Sequence, residues 1–371
     1  MRLTRISWTG YRVPFKNRFV AADVNAADRH GLLLRLEASS GLVGYGDASP
    51  IGAASPAAVE ALAAQLASLA PRLLEIGTSG DDFPQLAEAI PAQSPAPLRF
   101  GIETALCDLR AKENHCPVAS LFGGNPQRVP VNALLFSAAP EAIGSEARQA
   151  VDLGFKALKL KVGALSMEED IARVAAVRQA VGPRIALRID ANQAWSAAQA
   201  VEVINRLRPH GIEYVEQPVA ASDLRGMAKV RRSVSTPIAA DEAIASLDDA
   251  RRVLEMEAAD VVIVKAARTG LLQALAIVDF AQYAGRPVII TSSLESDIGV
   301  AAALHIASAR ALTRHPCGLA TGSLLESTLV SPPLSATEGF LSCPQHPGLG
   351  VAPDKRALKR YATQLKGDLS R

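Results

Sequence analysis

The first chemical signal in the 371-residue sequence is a set of charged residues that close successive apolar runs. They are KLK (Lys159, Lys161), RIDAN (Asp190, Asn192), YVEQP (Glu216), AADE (Asp241) and VIVKAA (Lys265). From Lys161 to Asp190, Glu216, Asp241 and Lys265 the steps are 29, 26, 25 and 24 residues, so one ionisable group recurs at the same end of each repeat. For a single acid, a salt bridge or a helix cap accounts for such a position. Three acids at matching strand ends converge in a small space, and like charges that close cannot all stay ionised without a cation. A donor set of oxygens alone, with no His or Cys, favours Mg²⁺, with Mn²⁺ as the substitute, over zinc. Asp190, Glu216 and Asp241 are therefore the expected metal ligands.

Residues so far apart need a scaffold that brings strand ends together. From Val129 onward the pattern alternates apolar strand with amphipathic helix. The expected strands are Val129–Leu134, Ala157–Val162, Ile185–Ala191, Ile212–Glu216, Pro237–Asp241, Val261–Ala266, Val288–Ser292 and Cys317–Thr321. Runs such as VVIVK are apolar on successive residues, as strands buried on both faces of a parallel sheet require. Eight such strands at a spacing of roughly 25 residues predict an α/β fold with a (β/α)₈, TIM-type barrel, whose active sites lie at the strand C-termini. An open doubly wound sheet would carry a Gly-rich phosphate turn, and no G-x-G-x-x-G is present.

The stretch before the barrel differs. Residues 1–125 read as an α+β capping domain. It has an opening strand, a loop from Lys16 to His30, strands over Gly31–Ala38 and up to Tyr45, and helices over Pro56–Glu75 and Leu98–Glu113. Residues 126–323 are the expected barrel, and 324–371 a Pro-rich segment that returns to the capping domain.

In an eight-stranded barrel the second and sixth strands face each other. Lys159 and Lys161, which point to one face of their strand, therefore stand across the mouth from Lys265, with the three acids on the arc between. Repulsion between them and a nearby metal would lower a lysine pKa and free an amine as a base. A metal holding a carboxylate between two amines suits removal of a proton α to that carboxylate, giving a metal-stabilised enediolate.

The ordered set KLKVG, RIDANQAW, EQP, ADE, VKAARTG and SSLESDIGVAAALHIA, with GYGDASP, GIETALCDLRAK and GLATGSLL around it, resembles the enolase superfamily in its muconate lactonizing enzyme subgroup. The resemblance spans nearly the whole chain. It implies Mg²⁺ on Asp190, Glu216 and Asp241, Lys161 as principal base, Lys159 as its assistant and Lys265 on the opposite face, the pattern of a Lys base with Mg²⁺. The mandelate racemase branch has a His at the seventh strand end, where this chain has TSSLES. Two positions depart from the family pattern, Asp47 for the usual Glu and Ala243 for a frequent Ser, and both are expected to adjust substrate shape.

Within the subgroup one site supports several reactions. RHGLLLRL, VPVNALL and the SSLES/GLATGSLL pair lean towards the o-succinylbenzoate synthase family, the dehydratases of menaquinone synthesis. The alternatives are an N-acylamino acid or dipeptide racemase/epimerase and a muconate-type cycloisomerase. GLATGSLL lacks the D-x-D that dipeptide epimerases commonly use for the substrate ammonium. Asn192, Ser292, Ser293 and Glu295 are candidate substrate contacts, although Ser at a strand end is equally a helix cap. Arg29 and its loop are placed to close over the site, an exposed loop arginine being the plainer reading. The histidines His30, His115, His210, His305 and His315 show no ligand spacing and read as structural or surface residues.

Composition excludes several other classes. A formal net charge of +2 gives no electrostatic footprint for nucleic acid or a membrane. Four scattered cysteines without a C-x-x-C pair fit reduced thiols. The N-terminus has no apolar h-region, and the Ala-rich run Pro56–Ile76 carries Glu60, Gln65 and Pro71, which argues against a span. The expectation is a cytoplasmic enzyme of a small-molecule carboxylate, with homo-oligomerisation left open.

Overall fold

The structure, a computed structural model, describes residues 2–21, 24–52, 54–75 and 89–371. Strands β1 (Leu3–Ala21) and β2 (Val24–Ala38) form one long antiparallel hairpin, and β3 (Val43–Ala48) pairs with β2. The expected loop from Lys16 to His30 is thus largely strand, with a register irregularity between Pro14 and Phe19. Tertiary packing explains the difference. Ile6, Trp8, Leu32, Leu34 and Leu36 sit in the core of the capping layer, whereas Val13, Phe15 and Phe19 belong to the barrel core. Phe15 stacks on Phe19 with ring centroids 5.4 Å apart, and Phe19 tilts against Phe136 at 6.3 Å. A segment that reads as polar loop is held extended because two aromatic rings anchor it to the other layer.

The helix Pro56–Glu75 is long and apolar enough to cross a membrane by length and composition. Its Val59, Leu62, Ala63, Leu66, Ala70 and Leu73 instead pack in the capping core beside Leu98, Ile102 and Leu106 of the helix Ala96–Glu113.

In the barrel, the expected first strand is divided. Its first part, β4 (Arg128–Pro130), pairs antiparallel with a late strand, and the second part, β5 (Ala133–Leu135), opens the parallel sheet. There follow β6 (Ala157–Lys161), β7 (Ala186–Asp190), β8 (Ile212–Glu216), β9 (Ile238–Ala240), β10 (Val261–Val264) and β11 (Val288–Ile290), in sequential order in one seven-stranded parallel sheet. Every residue of β10 is buried, as the VVIVK run requires. Two of the helices between them, Met167–Val181 and Ala197–Leu207, begin at capping boxes, Ser166 with Glu169 and Ser196 with Gln199.

The sheet curls until its edges meet. Residues 317–318 stand where the eighth strand was expected: Cys317 bridges Val131 and Gly318 bridges Thr291, both parallel. Four backbone bonds stitch the seam, Cys317 N to Pro130 O (2.7 Å), Asn132 N to Cys317 O (3.0 Å), Gly318 N to Ile290 O (2.9 Å) and Ser292 N to Gly318 O (3.0 Å). Gly318 is required for this approach, since a Cβ there would lie 2.8 Å from Thr291 Cγ2. The eighth strand is therefore two residues of pairing and not the expected five. Beyond it, β12 (Phe340–Ser342) pairs with β4, and β13 (Ala362–Ser370) joins β1 at the edge of the capping sheet.

His305, on the helix Asp297–Ala309, ties three parts of the molecule together. Its Nδ1 accepts from the Ala119 N–H at 3.1 Å, so Nε2 carries the proton and donates to the Leu349 carbonyl at 3.1 Å. Full burial holds this imidazole neutral and lowers its pKa to about 4. A depressed folded-state pKa means that the stabilisation is complete above the unfolded value near 6.5 and is lost as pH falls towards 4. Urea unfolding at pH 7 and pH 4.5 should show His305→Gln losing about 2–3 kcal/mol less than the wild type on acidification. Equal losses would refute the assignment.

Candidate active site

Strand register builds the site. Lys161 pairs with Asp190, Asp190 with Glu216, and Glu216 with Ala239, two residues before Asp241 on the same face. Period-two alternation then sends all of these side chains into the barrel mouth. The three carboxylates are fully buried, and one oxygen from each lies within 4.8 Å of the others. Backbone strain is concentrated here. Asn192 (φ 43°), Gln193 (φ 68°) and Gln217 (φ 38°) are left-handed non-glycine residues directly after the strands that carry the acids.

Cations close over the acids. Lys159 Nζ donates to both oxygens of Glu216 at 2.7 Å and lies 3.0 Å from Asp190. Lys161 donates at 2.7 Å to Asp190 Oδ2 and at 2.7 Å to Asn192 Oδ1. Across the mouth, Lys265 and Arg268 both bond Asp241. All four cations, together with Asn192, line an open cleft of about 1000 Å³. The triad lies beneath this floor.

The electrostatics follow from burial and pairing. Burial alone would neutralise Lys159, but Asp190 and Glu216 outweigh it and hold the ammonium well above its usual pKa. This reverses, for Lys159, the expected lowering of a lysine pKa, because its partners in the structure are carboxylates and not other lysines. Burial acts against ionised Asp190 and Asp241 too, yet Lys159 and Lys161 hold the first, and Arg268 and Lys265 the second, below the usual carboxylate range. Glu216 goes the other way. Burial first, then the charge of Asp190, push it up to about 8 despite Lys159. Lys159 is the sole cation paired with Glu216 among the described residues, whereas Asp190 and Asp241 each meet two. Three converging oxygen donors from adjacent strands fit a hard divalent cation.

The structure also places the remaining predicted residues. Ser292, Ser293 and Arg29 line the cleft. Glu295 does not: it sits behind them, accepting from Ser292 Oγ at 2.7 Å and from the Ser293 N–H at 2.8 Å. Arg29 lies on β2 and is only 2% exposed, so it is no exposed loop residue. Asp47 is also away from the cleft. It accepts from Tyr11 Oη (2.8 Å), Ser49, and the Ser296 N–H (2.9 Å) and hydroxyl, fastening the capping sheet to the helix after β11. Its effect is on how the two layers dock.

Three contributors escaped the sequence reading. Arg268 follows Lys265 by one helical turn, a spacing that could have flagged it. Glu242 accepts from Asn192 Nδ2 at 2.9 Å and so steadies the amide that holds Lys161. Gln217 accepts from the Asp241 and Ala243 N–H groups at 3.0 and 3.1 Å, fixing the ligand strand from within.

Comparison with known proteins adds the decisive observation. Residues 142–357 match the family described as enolase C-terminal domain-like, and residues 14–123 match the mandelate racemase/muconate lactonizing enzyme N-terminal domain. The chain belongs to the enolase superfamily. Among relatives of this superfamily member, an L-Ala-D/L-Glu epimerase of Clostridium acetobutylicum is 32% identical over 305 residues, 80% of this chain and 84% of that protein. An o-succinylbenzoate synthase of Thermobifida fusca is 42% identical over 215 residues, 57% of this chain and 66% of that protein. The solved N-succinyl Arg/Lys racemase of Bacillus cereus superposes with a TM-score of 0.91 at 26% identity, covering 100% of both chains. An enolase-type enzyme with an acidic triad able to hold a metal is thereby established.

Removing the central ligand should expose the metal dependence. At a hundredfold its Kd, a divalent cation stabilises a single-site protein by about 2.7 kcal/mol. Mg²⁺ or Mn²⁺ should therefore raise the wild-type Tm, and Glu216→Gln should lose that rise, as read by calorimetry with and without EDTA. A variant that keeps the full shift would place the cation elsewhere.

Proposed function

We propose that the protein is a Mg²⁺-dependent racemase of N-acylated amino acids, working by removal and return of the proton α to the carboxylate. The observation that carries this reading is the pair Lys161 and Lys265, which flank the buried triad from opposite strands and both reach the cleft. Mg²⁺ held by Asp190, Glu216 and Asp241 would supply the positive charge that stabilises a carboxylate as its α-carbon becomes electron-rich. The chain's own groups do the proton transfer. One lysine, as the neutral amine, takes the proton from one face of Cα, and the other, as the ammonium, returns one to the opposite face. Lys159, locked to Glu216 and Asp190, stays cationic and orients the acids and Lys161. Arg268 shares Asp241 with Lys265 and keeps that carboxylate ionised when Lys265 gives up its proton.

The substrate class is argued from the far wall. Gly318, Ala320 and Thr321 bring no charge to the cleft, so a free ammonium finds no carboxylate on the eighth segment. Asp28 also lines the cleft but is engaged by Arg12 at 2.7 Å. A neutral amide nitrogen fits this wall better than an amine. Phe15, Phe19 and Ile51 cover the cleft with apolar surface that suits an acyl chain or a hydrophobic side chain.

Dehydration to o-succinylbenzoate is the second reading, favoured by the 42% identity to the Thermobifida fusca synthase over the matched stretch. Two assays separate the readings. In deuterated water with Mg²⁺, an N-acylamino acid should acquire deuterium at Cα and lose optical activity. Turnover of the hydroxy-cyclohexadiene precursor, followed by its absorbance, with no Cα exchange on any N-acylamino acid, would instead establish the synthase. Lys161→Ala and Lys265→Ala should each lower racemisation by about 10²–10⁴-fold. Each should keep exchange, where any survives, for one enantiomer alone. Loss of exchange for both enantiomers to the same degree in both variants would contradict the two-face assignment.

A further inference from the structure

The pairing of β11 with residues 317–318 rests on one parallel bridge, Thr291 to Gly318. Followed back to their starts, these two segments emerge at the end of the barrel remote from the cleft. There they wall a second cavity, of about 720 Å³, whose lining includes Gln282, Arg286, Val288, Leu312, Arg314 and His315. Arg286 lies just before β11, and Arg314 and His315 just before residues 317–318, so basic groups stand on both sides of the seam. No acid lines the cavity. Neither guanidinium has an ion pair or a side-chain hydrogen bond among the described residues, and the acids of neighbouring elements are engaged. Asp279 pairs with Arg310, Asp260 with Arg231 at 2.7 Å, and Glu213 with the buried Arg188 at 2.6 Å and with His315 at 3.5 Å. The helix ends do not take up the arginines either, because the Ala281 and Ala307 carbonyls accept from the N–H groups of Arg286 and Leu312, both at 2.9 Å. Gln282 Nε2 donates to the Arg310 carbonyl at 3.1 Å and ties the two turns together. Like charges fixed across one cavity repel and so push on the seam. Three basic side chains call for an anion of more than one charge, and the guanidinium fork matches a phosphate group.

We infer that this cavity binds a phosphate group, free or carried on an ester, which braces the barrel seam from the end opposite the cleft. The bound anion replaces repulsion between Arg286 and Arg314 by attraction of both to one centre.

Binding calorimetry on the Mg²⁺-loaded protein, in chloride at constant ionic strength, tests it with inorganic phosphate and with adenosine monophosphate. The wild type should bind one equivalent. Arg286→Gln and Arg314→Gln should each weaken binding by about tenfold to a hundredfold, the worth of a hydrogen bond to a charged group. Lys161→Ala, changed only in the cleft, should keep the affinity within about threefold. Phosphate should also raise the wild-type Tm above its value in chloride. Arg286→Gln should lose that rise, yet unfold no lower than the wild type in chloride, since it is relieved of the repulsion. Tighter binding of the ester assigns an organic phosphate as the ligand, and equal affinity assigns phosphate itself. No saturable binding of either probe would overturn the inference. So would binding that Lys161→Ala abolishes and the arginine variants keep, or an Arg286→Gln variant that unfolds lower in chloride while phosphate still raises its Tm in full.

Discussion

Burying three carboxylates side by side is the constraint around which this molecule is arranged. No exposed surface screens them, so each must find a cation or give up its charge. Breaking a buried ion pair by removing one partner costs about 3–5 kcal/mol, a large part of a domain's net stability. Lys159, Lys161, Lys265 and Arg268 pair with all three acids and so let the fold tolerate the site. The same need fixes strand register: a slip of one residue would turn Lys161, Asp190 and Glu216 out of the mouth and put Leu160, Ile189 and Val215 in their place. The residues that carry the chemistry are also those that punish any other pairing of the strands.

A second constraint links the two layers. The long hairpin serves both cores, with Ile6, Trp8 and Leu34 on the capping side and Val13, Phe15 and Phe19 on the barrel side. Asp47 adds a polar fastening, its carboxylate shared by groups from both layers. Asp is one methylene shorter than the Glu expected by resemblance, and here the hydroxyls of Tyr11, Ser49 and Ser296 reach in to meet it. The cleft wall formed by β2 is thereby held against the barrel by apolar and polar contacts together.

Much of this was legible in the sequence because period and burial repeat. The parallel strands were readable from VVIVK and its counterparts, and the site from charged residues that end them at even steps. What escaped is what depends on contacts distant along the chain. The hairpin beyond Lys16 reads as loop until Phe15 and Phe19 meet Phe136. The first barrel strand reads as one run, yet β12 claims its first half. The eighth strand shrinks to residues 317–318 because only Gly318 lets the edges approach. Gln217 and Glu242 carry no signal of their own, since their roles lie in hydrogen bonds to neighbouring strands. Glu295 shows the converse: its place in SSLES suggests substrate contact, whereas its side chain is spent on Ser292 and Ser293.

The division of labour has an energetic logic. Taking a proton from the carbon α to a carboxylate demands a lowering of the barrier on the scale of 8–23 kcal/mol that enzymes achieve. No single contact supplies this, so the acids, lysines and their supports must come together from five consecutive strands. Choosing among acyl groups needs far less, since one charge-assisted hydrogen bond, worth about 1.5–3 kcal/mol, discriminates tenfold to a hundredfold. A single side chain on a hairpin can supply that without disturbing strand register. The barrel therefore carries its acids and lysines at positions that periodicity exposes, while the hairpin and the far wall contribute single residues to the cleft, and there periodicity leaves no trace.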